Sequence, residues 1–158
     1  MLSTRLSTCR RHAVQRDADY GPEIVVSSLS SDSHTWNLIF LQLLLEELGH
    51  RVTNLGSCVP DDLLIAECER RRPCLIVLSS VNGHGYQEGL RIIHALRAVP
   101  ALAATPVVIG GKLGTSGADP HLASALIDAS FDAVFEDDAA GVLSFRSFVR
   151  ALPVGTNA

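Results

Sequence analysis

The segment Asp32-Ser33-His34 carries the most specific chemistry in this sequence. A carboxylate two residues ahead of a histidine can accept the N–H of one imidazole nitrogen. That fixes the tautomer and leaves the other nitrogen free to bind a metal. The segment lies in the polar run Ser30-Ser31-Asp32-Ser33-His34-Thr35-Trp36-Asn37. Two later runs share its character. Ser79-Ser80-Val81-Asn82-Gly83-His84-Gly85 offers hydroxyls between turn-forming residues. Gly110-Gly111-Lys112-Leu113-Gly114 removes side chains where a bulky group could lie against the backbone. Each run has a plainer use as well: Asp32 or Ser33 qualifies as a helix cap, and a Gly pair alone is a weak signal. Their convergence on one edge of a fold is what gives them weight.

The elements around these runs predict that convergence. Residues 24–28 are a β-branched run after Gly21-Pro22 and read as a strand. Residues 34–48 place Leu38, Leu41, Leu45 and Leu48 at spacings of three and four, the period of a helix, and Gly49 stops it. Residues 51–55 read as the second strand. Residues 60–71 open with Pro60 and two acids and read as a helix with Leu63, Leu64 and Cys68 on one face. Residues 75–78 form a continuous apolar run, the mark of a central parallel strand covered on both faces. Helix 86–99, strand 107–109, helix 121–129, strand 133–135 and helix 139–152 complete the alternation. Regular β-α alternation implies a parallel sheet with helices on both faces. The expected fold is an α/β, flavodoxin-like, doubly wound five-stranded sheet of order 2-1-3-4-5. Its ligands would bind beyond the carboxyl ends of the strands, where all three polar runs fall.

Length and composition agree with one such domain. The chain has 158 residues, 47% of them apolar and 19% charged. Residues 1–20 read as a flexible extension, residues 21–152 as the domain and residues 153–158 as a tail. The extension lacks the apolar centre of a secretory signal. No stretch of eighteen apolar residues is present, so no membrane span is expected. The formal net charge is −4, and the first twenty residues hold four Arg against two Asp, so the rest is the more acidic part. A nucleic-acid surface needs a basic patch and is disfavoured. The one basic cluster, Arg70-Arg71-Arg72, falls at a helix end, where it complements the helix dipole. Cys9, Cys58, Cys68 and Cys74 form no C-x-x-C pair and read as buried free thiols of a cytoplasmic protein.

Three motifs in register resemble those of cobalamin-binding domains of the base-off/His-on kind. That family carries Asp-x-His-x-x-Gly, then Ser-x-Leu, then Gly-Gly. Here they are Asp32-Ser33-His34-Thr35-Trp36-Asn37, Ser79-Ser80-Val81 and Gly110-Gly111, with 41 residues between the first two and 28 between the last two. The resemblance covers residues 22–150. Asn37 stands where the family has Gly, and Val81 where it has Leu. Within the family the chain is most similar to the small S or sigma subunit of methylaspartate mutase (glutamate mutase), which shares the style of Leu78-Ser79-Ser80-Val81-Asn82-Gly83-His84-Gly85.

The resemblance implies a set of roles. His34 would be the lower axial ligand of cobalt, replacing the cofactor's own dimethylbenzimidazole, with Asp32 on its other nitrogen. The displaced nucleotide tail would enter between the first and third strands, Ser79 would meet its base, and Gly110 and Gly111 would pass along it. Ser31, Ser33, Thr35, Asn37, Ser80, Val81, Lys112, Leu113 and Gly114 would line the corrin and tail. His84 and Trp36 flank the same loops. The cofactor implied is adenosylcobalamin. The partner implied is a large catalytic barrel subunit, in a heterotetramer or similar assembly, with neither nucleic acid nor membrane involved. The activity implied is the rearrangement of glutamate to 3-methylaspartate, absent from this chain alone. A corrinoid carrier for methyl transfer and a cobalamin-sensing module are the alternatives.

Overall fold

The computed structural model of the protein describes residues 21–153; Cys9, the N-terminal extension and most of the C-terminal tail lie outside them. Five strands and five helices alternate: β1 (Gly21–Ser28), α1 (Trp36–Glu47), β2 (His50–Asn54), α2 (Asp61–Arg71), β3 (Leu75–Ser80), α3 (Gly85–Ala98), β4 (Val107–Gly111), α4 (Pro120–Asp128), β5 (Ala133–Glu136) and α5 (Ala139–Arg150). The strands are all parallel and make one sheet of order β2-β1-β3-β4-β5. This is the order expected from the alternation.

The sheet explains why the apolar runs are continuous. Along β3, Leu75 and Val77 join the core under α1 and α5, whereas Ile76 and Leu78 join the core under α2, α3 and α4. Successive side chains on a strand point to opposite faces, so a strand covered twice needs apolar residues at every position. Leu38 and Leu45 of α1, with Phe145 and Val149 of α5, fill the first layer. Leu64 and Cys68 of α2, Ile92 and Ile93 of α3 and Leu126 of α4 fill the second.

Several local expectations change. The first helix begins at Trp36, not at His34, so the Asp32-His34 pair sits in the loop before it. Asn37 is consequently helical; it has no left-handed backbone for which glycine would be needed. Leu63 is exposed, whereas Leu64 and Cys68 of α2 are buried in the core and Ile65 packs against it. Arg70 and Arg71 pair with Glu67 at 2.7 and 2.9 Å, and Arg71 also reaches Glu23 at 2.9 Å. Specific carboxylates therefore hold Arg70 and Arg71 as well as the helix dipole, while Arg72 donates to the Glu69 carbonyl at 2.8 Å. Cys68 is buried, and burial pushes its thiol up to about 12. Cys74 is partly buried and Cys58 exposed, in a left-handed turn after β2, so the expectation of uniformly buried thiols does not hold.

Helix α1 carries apolar residues on its outer side as well as its inner one. Leu38, Leu44 and Leu45 face the sheet, while Trp36, Ile39, Phe40 and Leu43 are exposed at helical spacing. Exposed apolar stripes of this kind are found where a protein meets a partner, a ligand or a membrane.

Candidate functional site

Register brings the polar runs together. Ser28 of β1 lies opposite Ser79 of β3, Ser79 opposite Gly110 of β4, and Ser80 opposite Gly111. The chain leaves all three strands at the same level, so the loops after β1, β3 and β4 meet at the carboxyl edge of the sheet.

Asp32 organises that edge. Its side chain is fully buried. One carboxylate oxygen accepts the His34 backbone N–H at 3.0 Å and lies 2.7 Å from His34 Nδ1. The other accepts the N–H groups of Val81 at 2.5 Å and Asn82 at 3.2 Å, from the loop after β3. A single carboxylate thus ties the first loop to the third and orients the imidazole. With Nδ1 on the carboxylate, Nε2 is the nitrogen left for a ligand, and the side chain is 43% exposed. Capping, the plainer use of Asp32, does not occur: the residue before α1 is Thr35, and no side chain caps that helix. The main chain at Asp32 is also held, its carbonyl accepting from Ser28 Oγ at 3.0 Å and from the Cys58 N–H at 2.8 Å.

Burial alone would raise the Asp32 carboxyl. The N–H groups of Val81 and His34, the His34 ring and the N–H of Asn82 outweigh it, and Asp32 sits below its ordinary 3.8. A carboxyl lowered in the folded state stabilises the protein above its unfolded value and loses that contribution as pH falls through the folded value. The thermal midpoint of the protein is therefore expected to drop as pH is taken below about 4. An Asp32→Asn variant, less stable at neutral pH, should drop less over that window. Parallel melting curves of the two proteins against pH check this.

Glu88 is a participant that the sequence did not reveal. It lies in the first turn of α3, nearly buried, and accepts from Ser30 Oγ at 2.9 Å, Ser31 N at 3.1 Å and Ser31 Oγ at 2.8 Å. Asn82 Nδ2 completes the lattice on Ser31 Oγ at 2.9 Å. The Ser31 hydroxyl is thereby committed to holding the loop. An acid three residues past Gly85 in a predicted helix start was the available signal, but its partners are 57 and 58 residues away.

The remaining predicted residues separate into groups. Asn37, Ser79, Val81, Gly110 and Gly111 line one cavity of about 300 Å³ between α1 and α5, together with Trp36, Phe40, Leu44, Phe135 and Phe145. Ser80 is buried on the opposite face of the sheet, against the start of α3, where a side chain on Gly85 would come within 2.8 Å of it. Lys112, Leu113 and Gly114 line an adjoining hollow of about 400 Å³ with Asp119 and Asp137. Within that group the Leu113 side chain is packed in the core and Lys112 is exposed. Ser33, Thr35 and His84 are exposed at the rim.

The glycine pair also serves the packing of the sheet. Gly111 has φ +96°, and a Cβ there would lie 2.0 Å from the Ser80 carbonyl oxygen. That carbonyl accepts the Lys112 N–H at 2.7 Å. The missing side chain of Gly111 admits the neighbouring strand. At Gly110 a Cβ would meet the Phe135 carbonyl at 3.0 Å. Both glycines border the cavity, but close strand packing is what excludes a side chain from them.

Among the described residues no cluster of three or more His, Cys, Asp or Glu side chains is placed to hold a metal, and no helix is long and apolar enough to cross a membrane.

The family model described as "B12 binding domain" matches residues 22–141. Among curated proteins, the chain is 36% identical over 106 residues to the HTH-type transcriptional repressor CarA of Myxococcus xanthus, a match that covers 66% of this chain and 34% of that protein. Among solved structures it is similar to a novel cobalamin-binding protein from Desulfitobacterium hafniense DCB-2, with a TM-score of 0.64 at 21% identity, covering 82% of this chain and 59% of that one. It is also similar to the monomethylamine corrinoid protein of Methanosarcina barkeri, with a TM-score of 0.64 at 14% identity, covering 80% of this chain and 57% of that one. The chain therefore spans about a third of the repressor and under two thirds of either solved relative.

Proposed function

Because this chain belongs to the B12-binding domain family, we propose that it holds cobalamin base-off, with His34 Nε2 as the protein's ligand to cobalt. The observation that carries this is the 2.7 Å contact between His34 Nδ1 and a fully buried Asp32, which leaves an oriented, accessible imidazole nitrogen. The other residues present fit the cofactor. The cavity behind the loop, of about 300 Å³, is walled mainly by apolar side chains, with Ser79 and Asn37 as buried polar groups and Glu136, Asp137 and Asp138 also in its lining. His34 would hold the metal, Asp32 would keep the imidazole in its ligating tautomer, and Ser79 would meet the base of the tail.

Replacing His34 with alanine is expected to weaken binding of hydroxocobalamin by at least about 100-fold, since even the partner of a metal-bound histidine is worth 10–100-fold. A titration followed in the visible spectrum reads it. The Co(II) form of protein labelled with ¹⁵N-histidine should show an altered nitrogen splitting in its electron spin resonance spectrum. A splitting that does not respond to the label would exclude histidine ligation.

The finer reading is a small subunit of an adenosylcobalamin-dependent carbon-skeleton mutase acting on glutamate. When bound, adenosylcobalamin supplies a cobalt–carbon bond whose homolysis starts such rearrangements. The loop Leu78-Ser79-Ser80-Val81-Asn82-Gly83-His84-Gly85 supports this reading. So does the exposed stripe of Trp36, Ile39, Phe40 and Leu43, on which a large barrel subunit would close. Conversion of glutamate to 3-methylaspartate after addition of a large subunit and cofactor tests it.

The 36% identity to a transcriptional repressor favours a second reading, a cobalamin-sensing module that transmits occupancy to a partner without catalysis. Under that reading the holo chain fails to complement a mutase large subunit, yet its assembly with a partner depends on bound cobalamin.

A further inference from the structure

Glu88 grips the loop that carries His34, and it does so from another helix. It stands in the first turn of α3 and is 8% exposed. An acid at such a place favours the helix dipole, but that use needs neither burial nor particular partners. Here the hydrogen bonds to the carboxylate come from the loop after β1. Oε1 accepts from Ser30 Oγ at 2.9 Å and from Ser31 N at 3.1 Å, and Oε2 accepts from Ser31 Oγ at 2.8 Å. Arg91, 3.7 Å from Glu88, donates to Ser30 Oγ at 2.9 Å and to Asp61 at the start of α2 at 2.6 Å. Asn82 Nδ2 reaches the Ser31 carbonyl at 3.2 Å. Ser30 and Ser31 are thus tied to α3 and to the loop after β3, and Ser31 directly precedes Asp32. Downstream the loop is freer: Ser33, His34 and Thr35 are exposed. Among the described residues, the His34 ring is the side chain of these three that is held, and it is held on Asp32.

We infer that Glu88 is a positioning residue for His34: it sets where the imidazole stands at the sheet edge, as Asp32 sets which way the ring faces. The inference rests on the histidine ligation proposed above. A metal ligand contributes most when its place is fixed before the metal arrives, because the ordering cost is then not charged to binding. Glu88 holds Ser31 by main chain and side chain at once, which fixes the segment leading into Asp32 more firmly than one bond would. Its effect reaches the metal through His34 alone, since both carboxylate oxygens are turned to the loop. The partner of a metal-bound histidine is worth 10–100-fold in affinity. Glu88 acts one step further out, and the Asp32 carbonyl is also held by Ser28 Oγ and the Cys58 N–H. Its contribution therefore belongs at the lower end of that range, about tenfold.

The test compares four full-length chains: the parent, Glu88→Ala, His34→Ala and the double variant. Each is titrated with hydroxocobalamin, by calorimetry and by the visible-spectrum change on ligation. Glu88→Ala is expected to weaken binding about tenfold when His34 is present and to change nothing further when His34 is already alanine. A general structural role would lower both affinities by the same factor. The Co(II) form bound to Glu88→Ala should also show a smaller share of the histidine nitrogen splitting in its electron spin resonance spectrum. Ser31→Ala is the second variant, should Glu88→Ala fold poorly. It removes the hydroxyl that Glu88 holds at an exposed position, and its loss should depend on His34 in the same way. Equal losses with and without His34, or no loss at all, would overturn the positioning role while leaving histidine ligation intact. Parental affinity in His34→Ala, or failure of the parent to bind hydroxocobalamin, would remove the ligation reading, and the role of Glu88 with it.

Discussion

Replacing Asp32 with alanine is expected to destabilise the protein by about 3 kcal/mol and to weaken cobalamin binding by a further 10- to 100-fold. The carboxylate serves four donors: His34 N, His34 Nδ1, Val81 N and Asn82 N. Removing it strands the Val81 and Asn82 N–H groups at a partly buried junction, and each unsatisfied group carries a penalty of about 1–3 kcal/mol unless water reaches it. For a domain of this size the melting temperature should fall by about 10 °C. The affinity loss has a separate origin. His34 stays in the chain, but nothing fixes its tautomer or ring plane. Asp32→Asn separates the two effects. It retains one acceptor for the loop N–H groups, so more of the stability should survive than in the alanine variant, while the imidazole loses its anionic partner. Melting curves and a spectral titration on the same samples decide the matter. An alanine variant with parental affinity would mean that His34 is oriented by something other than this carboxylate.

The second large effect lies at Gly111. A methyl group there would sit 2.0 Å from the Ser80 carbonyl oxygen on a backbone held at φ +96°. Neither partner has room to retreat, because Ser80 and Gly111 are paired across β3 and β4 and the same carbonyl holds the Lys112 N–H. Gly111→Ala should cost about 3 kcal/mol or more by combined backbone strain and overlap, or leave the protein insoluble. Gly110→Ala meets only a 3.0 Å approach to Phe135 and should cost about 1 kcal/mol. Equilibrium unfolding in urea gives both values. Equal losses at the two positions would show that the sheet relaxes in a way the register does not suggest.

The distance over which residues cooperate decides what the sequence could disclose. Asp32 and His34 are two positions apart, so their pairing follows from local geometry and was readable. The strand order was readable as well. Apolar runs such as Leu75-Ile76-Val77-Leu78 announce burial on both faces, and alternating elements admit few right-handed arrangements. Partners separated by tens of residues were not readable. Nothing near Glu88 indicates that it holds Ser30 and Ser31. Nothing near Asn37 indicates that it reaches Ser79, 42 positions on. The helix start also shifted by two residues, because Asp32 has a stronger use than capping. On α1 the regular leucines show the buried side, while the outer stripe has the same apolar chemistry and differs in being left exposed by the described residues.

The anchoring of the loop between β1 and α1 also bears on the speed of cofactor capture. Glu88 and Asp32 keep this segment in place through contacts made wholly within the protein. Its ordering entropy is thus spent during folding and is not charged again at each encounter. If His34 ligates cobalt as proposed, the slow event on mixing would belong to the incoming molecule, whose own base would have to leave the metal first. Capture should accordingly be faster for corrinoids that already have their base detached, and its rate should level off at high protein concentration for those that do not.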